Sequence, residues 1–420
     1  MSRLIRMTTP TGRVGSAQPL QEYRRQKEKR PGGEPILHAA DLGNGLTFTF
    51  YTCHRLPRAH SERYSLHHEG CARVGPIGVG LQSVLVSPRV SVVVPMYNAA
   101  EYLPVCLGAL RQSLDDTAEC LIVDDGSTDD SAATAKSLGF RVLSTGGRSS
   151  AGAARNLGVR EASGEILLFL DADVRVHPDT VQRVLRAFAE DPALGAISGS
   201  YDDAPSHPSR LSQWRNLLHC YTHQTASREA TTFWTGCGAI RRDVFADAGG
   251  FDERFRFLQD VELGVRLHRA GVGLRLDPGI QVQHRKRWTF REMVRTDVVG
   301  RAGVWTRIIL RERNMPNDLN LRWGQRASGV LALLSPPLLG AGVFQPELLG
   351  AGLLCLIGIA VLNRGLYRFL AARRGWAFVA LTLPLHFLFY CYAVLGFIHT
   401  VGRHLVAADR DYLPPVRNDL

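Results

Sequence analysis

Glu165-Ile-Leu-Leu-Phe-Leu-Asp-Ala-Asp-Val174 is an apolar run that stops at two carboxylates separated by one alanine. A run of this length between helical patterns suits a central parallel strand. Ligands of open α/β sheets collect beyond the carboxyl ends of such strands. The reading therefore predicts a buried strand that delivers Asp171 and Asp173 to a binding edge. Two carboxylates this close repel each other unless a cation sits between them. A hard divalent ion, Mg²⁺ or Mn²⁺, takes carboxylate and phosphate oxygens together, which points to a nucleoside diphosphate. The competing use of the same acids is to cap a helix starting near His177.

Upstream, Pro88-Arg-Val-Ser-Val-Val-Val-Pro95 reads as a β-branched strand followed by Met96-Tyr-Asn98, and helical spacing runs from Glu101 through Leu103, Leu107 and Leu110. Cys120 to Asp124 is a second strand, ending in Asp124-Asp-Gly-Ser-Thr-Asp129. A helix over 131–138, a short strand over 140–143, a break at Gly146-Gly147 and an alanine-rich helix over 151–162 complete the run. Strand and helix alternate at short spacing, the signature of a parallel, doubly wound sheet. Right-handed crossovers would set Asp124 and Asp125 on the same edge as Asp171 and Asp173. Ser127 or Thr128 as a helix cap is the plainer use of that turn. Arg155, on the helix between the acidic loops, reads either as a diphosphate contact or as part of a solvated face.

Downstream come an amphipathic helix over 177–191 and a strand over 195–200. In Thr235-Gly-Cys-Gly-Ala-Ile-Arg-Arg242, Gly236 and Gly238 would let backbone approach a ligand. Gly249-Gly-Phe-Asp-Glu253 is turn-forming. A helix over 259–270 carries Asp260 and Glu262 in its first turn, where an acid either complements the helix dipole or serves as a general base at a cleft rim.

The 420 residues hold one large or two ordinary domains, and 45% hydrophobic content is enough for a real core. The formal charge of +11 is carried by arginine, since lysine occurs only at 27, 29, 136 and 286. A basic excess fits nucleic acid, anionic membrane or phosphorylated substrate, and does not choose among them. Eight cysteines without a CxxC pair imply reduced thiols in a cytosol-facing domain. Residues 1–86 read as an atypical, disordered extension: basic and polar from Arg3 to Arg30, without a signal-peptide core, and with one short strand at Thr47 to Tyr51.

Over about residues 88–300 the ordered blocks Val93-Val-Pro-Met-Tyr-Asn98, Ile122-Val-Asp-Asp-Gly-Ser-Thr-Asp129, Ala153-Ala-Arg-Asn-Leu-Gly158, Asp171-Ala-Asp173, Gly249-Gly-Phe-Asp252 and Asp260-Val-Glu-Leu263 resemble the family 2 inverting glycosyltransferases. The resemblance implies a GT-A catalytic domain over 87–284, Rossmann-like, with a mostly parallel sheet and helices on both faces. It implies that Pro95, Tyr97, Asn98, Asp124 and Asp125 hold the nucleotide, most often uridine, and that Asp173, with Asp171 in support, holds metal and diphosphate. Asp260 matches the family's catalytic base, although Gln259 stands where a glutamate is usual. His284-Arg-Lys-Arg-Trp288 is similar to the Gln-x-x-Arg-Trp element of processive synthases, with histidine in place of glutamine. That makes His284 a further candidate for the metal, and Trp288 a candidate for stacking on an acceptor sugar or for the membrane interface.

Residues 285–326 are dense in arginine, with aromatic and apolar residues interleaved, and read as a basic amphipathic interfacial segment. Apolar runs over 327–344, 348–362 and 376–401 read as two to three transmembrane helices within 327–402, followed by a tail over 403–420. Three spans would export Arg403, Arg410 and Arg417, against the positive-inside rule. This use of positive charge needs no nucleic acid. The combined expectation is a transferase at the cytoplasmic face of the inner membrane, moving a sugar from a UDP-type donor to a lipid-linked or envelope glycan acceptor. A polyprenyl-phosphate sugar synthase and a catalytically silent scaffold are the alternatives.

Overall fold

The apolar run becomes a strand of five buried residues, Ile166–Leu170, and ends one residue before the first carboxylate. Asp171-Ala-Asp173 is a turn, closed by the Val174 amide donating to the Asp171 carbonyl at 3.1 Å. The chain then enters a separate three-residue strand, Val174–Val176. The acids thus tip a turn between two strands of one sheet, and the following helix starts at Thr180.

The computed structural model describes residues 7–8, 37–41, 47–51 and 89–406. The chain divides into two units, 1–82 and 83–420. In the first, β1 (Met7–Thr8), β2 (Leu37–Asp41) and β3 (Thr47–Tyr51) form an antiparallel sheet in the order β1-β3-β2. The strand expected at Thr47 to Tyr51 is present. The disorder expected for the rest of 1–86 lies outside the described residues, as does most of the tail.

In the second unit, β4 (Val90–Met96), β5 (Ala118–Asp124), β6 (Arg141–Ser144), β7 (Ile166–Leu170), β8 (Val174–Val176), β9 (Leu194–Tyr201), β10 (Cys237–Arg241) and β11 (Gly273–His284) form one sheet in the order β6-β5-β4-β7-β10-β9-β11-β8. The parallel expectation holds from β6 to β7. Beyond β7 the sheet is mixed: β10 is antiparallel to both β7 and β9, and β8 is antiparallel to β11, while β11 runs parallel to β9. The βα rhythm that implied parallel pairing stops at Asp171, where a tight turn replaces a crossover helix.

Period-two alternation splits β7 between two cores. Ile166, Leu168 and Leu170 pack with residues of α1 (Leu103–Ser113), α2 (Ser131–Ser137) and α4 (Thr180–Glu190). Leu167 and Phe169 pack on the other face, with α3 (Ala151–Glu161), α6 (Arg242–Asp247) and α7 (Gln259–Arg269). Helices therefore cover both faces, as expected for the α/β class. α5 (Arg210–Gln224) leads toward the C-terminal helices.

Part of the basic amphipathic segment over 285–326 packs against the α/β layers. α8 (Phe290–Arg295) starts with a Thr289/Glu292 capping box and runs through a π-helical stretch, Thr296–Ala302, into α9 (Gly303–Glu312). Val304 and Ile308 are buried with Phe255 and Val261. α10 (Trp323–Ala341), α11 (Pro346–Leu362), α12 (Arg364–Arg374) and α13 (Trp376–Val406) follow. By length and composition α13 alone can cross a membrane among the described residues. α11 with α12 passes the same criterion only as a pair bent by 64°.

Phe169 is fully buried and touches the rings of Phe233, Phe245 and Phe251 at centroid distances of 6.4, 5.7 and 5.1 Å. Phe169→Ala should lower stability by about 3–5 kcal/mol, the cost of a large aromatic truncated in a packed core. Denaturation of the full chain in detergent checks this, with Phe169→Leu as the milder comparison.

Candidate functional site

Strand register determines which side chains meet at the carboxyl edge. Met96 pairs with Asp124, so the loops after β4 and β5 lie side by side. Asn98, at φ 48°, accepts from the Thr128 amide at 2.8 Å, and its own amide donates to Ser127 Oγ at 3.1 Å. Asp124 is buried and accepts from the Ser127 amide at 3.0 Å. Pro95 lies half-buried within β4. Asn98 and Asp124 thus brace the two loops.

Asp125 is buried and accepts from the Ser149 amide at 2.9 Å, with Arg148 Nη1 at 3.4 Å. The Arg148 guanidinium lies 3.3 Å from the centroid of the Tyr97 ring, which is exposed. Tyr97, Arg148 and Asp125 form one wall. Arg256 is on the same side. Burial, then the like charges of Arg148 and Arg295, lower its guanidinium pKa, while Asp125 acts in the opposite direction. Sequence reasoning missed Arg148 and Arg256, because single arginines in an arginine-rich chain give no local signal.

Asp171 receives a hydrogen bond from Arg155 Nη2 at 2.7 Å. Arg155 is buried, which removes the solvated-face reading: its partner is Asp171, and its Nε and Nη1 have no hydrogen-bond partner. The neighbouring Asn156 grips the Gly249-Gly250 turn, where both glycines sit at positive φ, by donating to the Phe251 carbonyl at 2.8 Å.

Burial raises the Asp171 carboxyl above the usual carboxylate range. Arg155 offsets part of this, and the negative charges of Asp173 and Asp260 add to it. For Asp173, burial pushes up most strongly, but His284 and Lys286 outweigh it and hold the carboxyl low. The Tyr201 hydroxyl is pushed well up, first by burial and then by Asp173, Asp171 and Asp260. One phenol thus feels all three carboxylates, two from the turn after β7 and one from α7.

His284 reaches Asp173 through β-pairing. It ends β11, where it pairs with Val174, the residue after Asp173. Its Nε2 lies 3.6 Å from Asp173 Oδ2, its Nδ1 lies 3.0 Å from Asn216 Oδ1, and its ring stacks on Tyr201 at 4.3 Å. Neither Asn216 nor Tyr201 carries a sequence signal for this arrangement. Asp260 enters from the first turn of α7, just after Leu258, which adopts a left-handed conformation rare for a bulky residue. Asp260 Oδ2 accepts from the Thr235 amide at 3.1 Å and the Thr235 hydroxyl at 3.2 Å. Thr235 lies two residues before Cys237, which pairs with Leu170, so antiparallel β10 brings the Asp260 support beside Asp171.

Two expectations change. Gly236 and Gly238 are buried, and a Cβ would meet the Trp234 ring at 2.2 Å or the Trp234 carbonyl at 2.2 Å. Internal packing accounts for the absence of a side chain at both positions. Trp288 is buried among Trp214, Met293 and Leu366, so its ring presents no face for sugar stacking.

Asp173 and His284 offer a hard oxygen and an imidazole nitrogen. Among the described residues no group of three or more His, Cys, Asp or Glu side chains makes a ready cage. The donor set fits an ion that completes its shell with ligand oxygens.

Residues 91–249 match the family model described as glycosyl transferase family 2. The chain is 31% identical over 252 residues to validoxylamine A glucosyltransferase of Streptomyces hygroscopicus, covering 47% of this chain and 56% of that protein. It is 27% identical over 231 residues to N-acetylglucosaminyl-diphospho-decaprenol L-rhamnosyltransferase of Mycobacterium tuberculosis, covering 46% and 75%. The match thus spans little more than half the length of the first relative. Among solved structures, a mannosyltransferase from Pyrobaculum calidifontis in complex with GDP-Man and Mn²⁺ aligns with 76% of this chain and 88% of its own, at 18% identity and a TM-score of 0.48. Asp260 and His284 lie beyond the matched stretch, and their place at the edge is a matter of geometry alone. Over residues 91–249, then, this chain is similar to glycosyl transferase family 2.

Proposed function

We propose that the chain transfers a sugar from a nucleotide donor, UDP-linked, to a hydroxyl of a lipid-linked or envelope glycan, at the cytoplasmic face of a cell membrane. The observation that carries this reading is the convergence of Asp171, Asp173 and Asp260 on one edge, within electrostatic reach of Tyr201. Three carboxylates at one edge are poorly matched to each other and well matched to a cation with its diphosphate.

In this reading Tyr97, Asn98, Asp124 and Asp125 hold the nucleoside, and Arg148 and Arg256 take the negative charge of the donor. A divalent ion, Mg²⁺ or Mn²⁺, held by Asp173 and His284 with Asp171 behind them, would neutralise the departing diphosphate. Asp260, oriented by Thr235, takes the acceptor hydroxyl proton as that oxygen attacks the anomeric carbon and the bond to the diphosphate breaks. One displacement inverts the anomeric centre. Exposed apolar residues on α10, α11 and α13 support attachment to a membrane.

Asp260→Asn should lower kcat by about 10²–10⁴-fold, the range for losing a general base, with donor affinity little changed. A screen of nucleotide sugars that follows nucleoside diphosphate release with the full chain and a lipid extract measures this. Wild-type turnover by Asp260→Asn would remove the base, and would favour an acceptor phosphate that needs none. Chelation should stop transfer, and Mn²⁺ should restore it better than Mg²⁺, because an imidazole donor suits the softer ion. Equal recovery in both would argue against His284 as a ligand. Tyr201→Phe should keep activity within a few fold, since the stack on His284 survives, whereas Tyr201→Ala should not.

A further inference from the structure

α13 is apolar and 31 residues long, about 45 Å as a helix, more than enough to cross a bilayer. Its surroundings are wrong for a crossing. Val379 belongs to the cluster of Trp214, Trp288 and Met293. His386 packs on Trp214 at 6.2 Å. The Tyr392 hydroxyl donates to Asp297 at 2.7 Å. A Cβ on Gly396 would meet that of Ala302 at 2.9 Å, and His399 and Arg403 face Val298 and Arg307 across a cleft of about 710 Å³. The catalytic layers and the helices leading from them therefore flank α13 from residue 379 past residue 396, about 25 Å, most of the depth of a bilayer core.

The elements on the catalytic side of α13 are charged, whereas α10 and α11, which meet Tyr390 through Ala332 and Ile359, are apolar. Asp297 is buried between Arg215 of α5, Arg301, whose Nη1 lies 2.9 Å away, and Tyr392. A crossing α13 would carry Asp297, Arg301 and Arg307 into hydrocarbon, where charges are costly. The exposure of α13 is also inverted for water. Thr382, His386, Tyr390 and Tyr392 are buried, while Leu381, Leu388, Leu395 and Ile398 are 37–55% exposed. An outward apolar stripe of this kind needs lipid, and a stripe on one side only needs it on one side.

The start of α13 is on the catalytic side. After the 64° bend at Asn363, α12 returns to α5, with Tyr221 and Phe369 rings 5.3 Å apart, and Arg373 bonds Asp203 at 3.0 Å. We infer that α13 lies in the interfacial plane of an acyl-chain bilayer, its Leu381, Leu388, Leu395 and Ile398 stripe inward, and that its carboxyl end stays on the catalytic domain's side. The inference rests on the proposed membrane attachment. It also removes the conflict between three spans and the arginines at 403, 410 and 417.

External protease on intact spheroplasts expressing the full chain with a C-terminal epitope tests it. Protection of both catalytic domain and epitope until lysis is the expected result. Loss of the epitope with the domain intact would overturn the inference and leave the membrane reading standing. Recovery of the chain in the soluble fraction would overturn both. Replacing Leu388 and Leu395 by Glu, both on the outward stripe, should weaken flotation of the full chain with acyl-chain vesicles; flotation equal to the wild type would overturn the inward placing of the stripe.

Discussion

Like charges must be held together for this edge to exist, and that constraint organises the molecule around it. Asp171 is kept at the turn by a buried Arg155, Asp173 by His284, and Asp260 by the amide and hydroxyl of Thr235. Each carboxylate has its own support, and no two share one. The fold can thus tolerate the repulsion, and a bound cation would relieve it.

The supports come from strand direction. A parallel continuation after β7 would carry the next strand's amino end to the far side of the sheet. Antiparallel β10 instead starts beside the end of β7, so Thr235 arrives next to Asp171. The short β8 does the same on the other side, pairing Val174 with His284 and setting imidazole against Asp173. Asn216 fixes that ring from α5, and the adjacent Arg215 reaches Asp297, which bonds α13 through Tyr392. Catalytic edge and C-terminal helices therefore meet in two successive residues of one helix.

The half of the sheet up to β7 was legible because its signals are local: β-branched runs, a period of two, Gly146-Gly147, and acids at the ends of strands. The turn at Asp171-Ala-Asp173 was read as the end of one strand, since nothing in three residues announces a second strand at the opposite edge. Asp124, Asp125, Asp171 and Asp173 stand out in the sequence as carboxylates closing apolar runs, and Asp260 as an acid in a first helical turn that the family resemblance singles out. Tyr201, Asn216, Arg148 and Thr235 were not, because each acquires its place through a partner at least 25 residues away. The packing of Gly236, Gly238 and Trp288 is hidden from the sequence for the same reason: their partners are chosen by tertiary structure.

The claim on which the rest stands is that Asp173 and Asp260 face one cation and diphosphate from opposite roles, one holding and one reacting. Electron paramagnetic resonance of Mn²⁺ titrated into the full chain with a nucleoside diphosphate tests this without turnover. The account predicts a bound signal that Asp173→Asn abolishes and Asp260→Asn preserves. Unchanged Mn²⁺ binding in Asp173→Asn would contradict it.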